Sequence, residues 1–375
     1  MNIAVNTRLL IQNKLDGIGW FTYESLKRIT TQHPEHHFFF IFDREYDPAF
    51  LFSDNITPVI LYPHARHPVL YYTWFEIALP KLLERLKPDL FVSPDGFLSL
   101  KTPIKSLTVF HDLNFEHYPE DIPYWTRKYY RHYFPKYAEK AVRIATVSTF
   151  SKEDIVKQYH VDPEKIDVVY DGWNELYVPL DEMQKKRFRE ELTGGAPYFI
   201  FIGTLHPRKN LVNLFKAFDL FKKSNPSDVK LLIVGAKKWW TRDIDVAYDR
   251  MVFSDDVIFT GRLNINELTG ALGSALALTY VSYFEGFGIP IVEAFRCDVP
   301  VITSNVTSMP EVAGDAALYV DPFDPESIAE ALYKAYQYES IRTDLITRAR
   351  RRKDLFSWQQ TADRLWDSIE RAVKT

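Results

Sequence analysis

Glu285 and Glu293 stand with seven residues between them in SYFEGFGIPIVEAFRCDVPVITSNVTSMPE, residues 282–311. Gly286, Phe287 and Gly288 lie between them, and glycines there permit a backbone conformation and a close ligand approach that a side chain would block. Pro290 suits the first turn of a helix, where its missing N–H costs nothing. The spacing therefore predicts Glu285 on a loop and Glu293 one turn inside a helix that opens near Ile289. Such an arrangement turns backbone N–H groups and a positive helix end toward an anion, with a carboxylate on either side. An ionised carboxylate accepts two hydrogen bonds at once, which suits the vicinal diol of a ribose or a hexose. One element could then grip a sugar, a phosphate and a ribose together. A plainer account stands beside it: a Glu in a first helical turn is favourable by about 0.3–1 kcal/mol without any ligand, and Gly-x-Gly alone is a weak signal.

A second group of residues falls in GTLHPRKN, 203–210, directly after an apolar run that reads as a strand. Arg208 and Lys209 there can meet a diphosphate with charge-assisted hydrogen bonds, and Asn210 is placed to cap the following helix. Gly203 opens this loop, and Arg262 follows another such strand, VIFTG at 257–261; both are counted with the donor-binding positions. The alternative for the Arg-Lys pair is a solvated basic loop. No Gly-Lys-Ser/Thr follows, so a nucleotide-hydrolysing phosphate loop is excluded.

In the first half, His111-Asp112 ends the strand SLTVFHD, 106–112. Polar residues at strand ends line sites in parallel sheets, although a lone His is often structural and Asp112 could orient it or cap a turn. Gly17 and Gly19 are expected on a loop before a helix from Trp20 to Thr31. A dinucleotide site is the competing account of that loop, with Asp43 as the ribose acid. It lacks the third glycine, and some ten residues separate Gly17 from the first strand, where the dinucleotide turn is tight. A metal is not expected: Asp243-Ile-Asp245, the sole Asp-x-Asp, falls in a polar helical stretch, and the Cys and His content offers no zinc spacing.

Glu285 and Glu293 with EGFG, followed by SNVTSMPEVAGDAALYVDP, resemble the retaining glycosyltransferases of the GT-B fold known as family 4, the group 1 glycosyl transferases. The resemblance runs over most of the C-terminal half and more thinly through the N-terminal half. It implies two doubly wound Rossmann-like domains facing each other across a cleft, and a metal-independent, retaining hexosyl transfer from a nucleotide-diphosphate sugar, such as a UDP- or GDP-hexose, to an acceptor hydroxyl. It assigns Arg208 and Lys209 to the diphosphate, Glu293 to the ribose, and Glu285 and His111 to the donor sugar. Gly17 and Gly19 would approach donor phosphate and acceptor, and Gly203, Arg262 and Gly286 to Ile289 would complete the donor site. Rival accounts are a GT-B-like nucleotide-sugar epimerase, a dehydrogenase using NAD, and a non-catalytic sugar-binding relic.

These residues need a frame, and 375 residues are too many for one ordinary core. Strand-like runs at 2–6, 37–43, 59–62, 90–93, 106–112, 143–148 and 165–172 alternate with helical spacing at 20–31, about 70–87 and 124–141, the last interrupted by Pro135. After a charged stretch from Trp173 to Pro197, a linker candidate and in part helical, the rhythm restarts at 198–203, 230–235, 257–261, 275–280 and 299–303. Alternation of this kind predicts parallel sheets wrapped on both faces. The expected domains are 1–172 on the acceptor side and 173–356 for the nucleotide sugar, with a helix at about 357–375 that the resemblance returns to the first domain.

With 46% hydrophobic and 26% charged residues and a formal charge of −4, the chain reads as soluble and gives no bulk reason to expect nucleic acid. MNIAVNTRLLI reads as a first strand rather than a secretory leader, and the lone Cys297 excludes an intramolecular disulfide and fits a buried thiol in a reducing compartment. The expected place is the cytoplasm. Residues 126–143, TRKYYRHYFPKYAEKAVR, carry six Lys/Arg against one Glu. They read either as a half-buried helix with a solvated face or as a peripheral contact with the inner face of a membrane.

Overall fold

The computed structural model describes residues 1–237 and 239–375. The chain divides into two compact units: 1–172 together with 357–375, and 173–356. Each is a parallel sheet between helical layers.

The first unit carries seven strands: β1 (Asn2–Asn6), β2 (His37–Phe42), β3 (Ile56–Ile60), β4 (Leu90–Ser93), β5 (Ser106–Phe110), β6 (Arg143–Thr146) and β7 (Ile166–Val168). They pair in the order β3-β2-β1-β4-β5-β6-β7, every pair parallel. The central strands β4 and β5 are buried at every position, as both faces of such a sheet require. The C-terminal helix Trp358–Lys374 belongs to this unit. Its Ser368 hydroxyl donates to Asp167 at 2.6 Å, and its Thr361 hydroxyl donates to the Tyr170 carbonyl at 2.7 Å.

The second unit carries β8 (Tyr198–Ile202), β9 (Lys230–Val234), β10 (Val257–Gly261), β11 (Ala277–Tyr280), β12 (Val301–Ser304) and β13 (Ala317–Val320) in the order β10-β9-β8-β11-β12-β13, also all parallel. The order reverses between β8 and β11, so the loops after these two neighbouring strands open where doubly wound sheets place ligands.

Several local expectations are corrected. The helix expected from Trp20 runs Gly17–Gln32, because Asp16 caps it by accepting from Gly19 N at 3.2 Å. Gly17 and Gly19 are therefore in a first helical turn, not on a loop. β5 stops at Phe110, leaving His111 just past the strand, and β3 begins three residues before its apolar signal. Pro135 does not interrupt its helix, Tyr124–Lys140. A Pro in a helix interior costs about 3 kcal/mol, and the neighbours Phe134 and Tyr137, buried among Phe97 and Phe110, outweigh it. Within 173–197 a full capping box, Asp181 with Gln184, starts the helix Glu182–Thr193. The strand-like runs read from the sequence stop at 299–303 and leave out β13, ALYV, a four-residue, half-exposed strand at the sheet edge whose apolar run is short and follows a short helix, Met309–Ala313. Among the described residues no helix is long and apolar enough to cross a membrane.

Candidate active site

In the second unit, β8 runs into Gly203 and then a 3-10 turn, Pro207–Lys209, which delivers Arg208 and Lys209 to the strand's C-terminal end. β11 ends at Tyr280, and the following loop delivers Glu285. Arg208 Nη1 donates to Glu285 Oε2 at 2.9 Å and to the Phe284 carbonyl at 3.1 Å. Lys209 Nζ donates to Glu285 Oε1 at 2.6 Å and to the Tyr280 hydroxyl at 2.6 Å. Two cations from one loop thus clasp one carboxylate from another, 76 and 77 residues away in the chain.

Glu285 is 5% exposed and Lys209 8%. Burial alone would push the Glu285 carboxyl up; Arg208 and Lys209 overcome that and hold it down to about 2, so it is ionised throughout the neutral range. The loop around it is pinned from beneath. The Ser308 hydroxyl donates to the carbonyls of Glu285 at 2.9 Å and Phe287 at 3.0 Å, and Glu285 N donates to the Thr307 hydroxyl at 3.3 Å. Gly288 sits at φ +106°, a conformation that favours glycine, and caps the helix Ile289–Arg296 with Pro290 in its first turn. Gly235, after β9, is needed for a different reason: a Cβ there would lie 1.8 Å from the Gly203 carbonyl oxygen, so any side chain would push apart the ends of β8 and β9.

Glu293 lies in that helix, half-buried beside Tyr177. Burial raises its carboxyl to about 7 against the opposing hydrogen bond from the Tyr177 hydroxyl. Tyr280 lies within electrostatic reach of both Glu285 and Glu293, which joins the two glutamates to one neighbourhood. Phe287 turns its ring into the core against Phe356, and Ile289 is half-buried at the helix start. Arg262 is exposed just past β10.

Asn210 departs from its expected role. It occupies the cap position of the helix Leu211–Ser224 at φ +62°, but its side chain makes no capping bond. Its amide instead donates to the carbonyls of Val281 at 3.0 Å and Pro322 at 2.6 Å, tying the Arg208 loop to the Glu285 loop. Tyr280, Tyr177 and Ser308 were missed as well. Ser308 and Thr307 lie in the quoted SNVTSMPE run, but only folding shows them under Glu285.

In the first unit, His111 Nε2 donates to the Pro94 carbonyl at 2.7 Å, which puts the ring proton on Nε2 because a carbonyl only accepts. Its ring meets Phe21 edge-on, and burial lowers its pKa, so it is neutral near pH 7. Asp112 caps the next turn by accepting from Asn114 N at 3.0 Å. Gly17 is exposed and Gly19 buried; a Cβ on Gly19 would come within 3.1 Å of Leu15. Asp243 and Asp245 occupy the first turn of the helix Arg242–Asp249.

The family model described as Glycosyl transferases group 1 matches residues 182–352, and that described as Glycosyltransferase Family 4 matches residues 15–175. The O-antigen chain mannosyltransferase B of Escherichia coli is 30% identical over 283 residues, covering 74% of this chain and 73% of that protein. The O-antigen chain mannosyltransferase RfbU of Salmonella typhimurium is 32% identical over 228 residues, covering 61% of this chain and 60% of that protein. The structure of Alr3699/HepE from Anabaena in complex with UDP-glucose is 16% identical, covers 99% of both chains and superposes with a TM-score of 0.75.

Proposed function

The chain belongs to glycosyltransferase family 4 and has its GT-B fold, and from that premise we propose that it is a retaining, metal-independent mannosyltransferase of surface-polysaccharide synthesis. The observation that carries this is the clasp of Arg208 and Lys209 on Glu285, past neighbouring strands at the point where the strand order reverses. Mannose and the polysaccharide come from the names of the two bacterial relatives; a nucleotide-diphosphate donor is supported by the UDP-glucose held in the Anabaena structure.

The donor diphosphate would be met by Arg208 and Lys209, with the backbone N–H groups of Gly286 to Ile289 and the helix end completing the cradle. Two fixed cations supply what a divalent ion supplies elsewhere: neutralisation of the charge that builds on the leaving diphosphate as the glycosidic C–O bond breaks. Glu293 would accept from the ribose hydroxyls and Glu285 from the transferred sugar. His111, with Gly17 and Gly19, would serve the donor sugar and the acceptor from the first unit. In the retaining step the acceptor oxygen attacks the face the diphosphate leaves, and the acceptor proton passes to a donor phosphate oxygen.

The helix Tyr124–Lys140 buries Tyr129, Phe134, Tyr137 and Ala138 and exposes Lys128, Arg131, His132 and Lys136. With Trp125 65% exposed beside Lys128, this face would bring the enzyme to an anionic membrane carrying a lipid-linked acceptor. Incubation with GDP-mannose and, separately, UDP-glucose in the presence of a mannose-containing acceptor tests the function. The expected product carries a new mannose with the donor's anomeric configuration by NMR. Inverted configuration would exclude the retaining step. Release of free isomerised sugar without any acceptor would indicate an epimerase instead.

A further inference from the structure

The turn His33-Pro34-Glu35-His36, between the helix Gly17–Gln32 and β2, takes no part in the site above. It nevertheless gathers three metal-ligating side chains. His33 Nδ1 lies 3.7 Å and His36 Nε2 3.3 Å from the same Glu35 oxygen, and one donor atom from each of the three lies within 4.8 Å of the others. A tetrahedral zinc ion with bonds of about 2.0–2.1 Å sets its ligand atoms about 3.3 Å apart, so only small side-chain adjustments close this triangle on an ion.

The turn is held in shape before any ion arrives. The Asn55 amide donates to the carbonyls of Thr30 at 3.1 Å, His33 at 3.1 Å and His36 at 2.9 Å, and His36 N donates back to the His33 carbonyl at 3.2 Å. Both imidazoles stack on Trp366 of the C-terminal helix, with centroids at 3.7 Å for His33 and 5.2 Å for His36. Stacking by itself would account for the ring planes. The third donor atom is the Glu35 oxygen, within 3.7 Å of both imidazole nitrogens on a turn clamped at three carbonyls.

We propose that His33, Glu35 and His36 form a structural site for a divalent transition-metal ion of the zinc class, with water at the fourth position. Two imidazoles and a carboxylate suit such borderline ions better than magnesium or calcium. An ion there would fasten the turn, whose two rings stack on Trp366, and so secure the docking of the C-terminal helix within the first unit. The three donors fall within four residues, a spacing that does not announce a zinc site, and converge only in the shape of this turn.

The test uses the untagged full chain, stripped with chelator and desalted, and titrated calorimetrically with zinc chloride. The expected result is saturable binding of one ion per chain with a rise in melting temperature. Glu35→Gln, whose side chain is exposed, and His36→Gln should each weaken binding about tenfold or more. Copper(II) should quench tryptophan fluorescence in the parent, and most of that quench should vanish in Trp366→Phe. Undiminished binding in both ligand variants, or an unchanged quench in Trp366→Phe, would place the ion elsewhere and overturn the proposal. An absence of saturable binding to the parent overturns it as well.

Discussion

The two sheets carry a charged pair at the same topological place, past neighbouring central strands, and treat it in opposite ways. In the first unit, Arg8 beyond β1 meets Asp95 beyond β4 at 2.6 Å. In the second, Arg208 and Lys209 beyond β8 meet Glu285 beyond β11. The first pair is closed. Arg8 also donates to the Ala65 carbonyl at 2.9 Å and lies over the rings of Phe97, Tyr71 and Phe75. Asp95 accepts in addition from Asn6 at 2.9 Å, Ser93 at 3.1 Å and Phe97 N at 3.3 Å. One positive and one negative group cancel inside an aromatic box. In the second unit two cations share one carboxylate, the trio carries a net positive charge, and the Arg208 side chain keeps 24% of its surface. A strand-end ion pair thus becomes structural when neutral and enclosed, and anion-receptive when it keeps surplus positive charge near solvent.

The largest effect should come from the closed pair. Removing one partner of a buried ion pair costs about 3–5 kcal/mol, so Arg8→Ala should lower the denaturation midpoint sharply. In the fraction that remains folded, nucleoside-diphosphate affinity should be unchanged. A loss of affinity with normal stability would break the contrast.

Arg208→Ala should do the reverse. Charge-assisted hydrogen bonds contribute about 1.5–3 kcal/mol, so nucleoside-diphosphate binding should weaken tenfold or more by calorimetry while the fold survives. Affinity equal to the parent's would remove Arg208 from the donor site.

The two glutamates sharpen the contrast within the second unit. Glu293→Gln should weaken bare nucleotide and nucleotide sugar alike. Glu285→Gln should lower turnover without lowering nucleoside-diphosphate affinity, since it removes a carboxylate that competes for Arg208 and Lys209. Because burial raises Glu293 to about 7, it gains its negative charge as pH rises from 6 to 8, and the ionised form accepts more strongly from ribose hydroxyls. The affinity advantage of the parent over Glu293→Gln should therefore grow across that window. An advantage that shrinks would reverse the assignment.

The smallest effect expected is that of a chelator. If Arg208 and Lys209 do the electrostatic work, turnover measured well below the melting temperature should be unchanged in EDTA, even where loss of an ion from His33 and His36 lowers that temperature. Turnover that disappears and returns with Mn²⁺ would redirect attention to Asp243 and Asp245.

Sequence alone determined the alternating layers, because buried parallel strands such as YFIFI and KLLIV announce themselves as short apolar runs between polar helices. It also placed Glu285 on a loop and Glu293 inside a helix, since glycine, proline and helix-start chemistry act within a few residues. What it left out was decided by contacts between distant parts of the chain. Nothing local in Asn210 predicts a bridge to Val281 and Pro322 rather than a cap. Nothing local in Pro135 predicts a helix carried through by its aromatic neighbours. Arg8 finds Asp95 only because β1 and β4 lie side by side, and Arg208 and Lys209 find Glu285 only because β8 and β11 do. His33 and His36 find Trp366 only because the last helix returns to the first unit. Side-chain period and turn chemistry are short-range properties of the backbone, whereas charge pairing and burial depend on which strands become neighbours, and that is set by packing of the whole sheet.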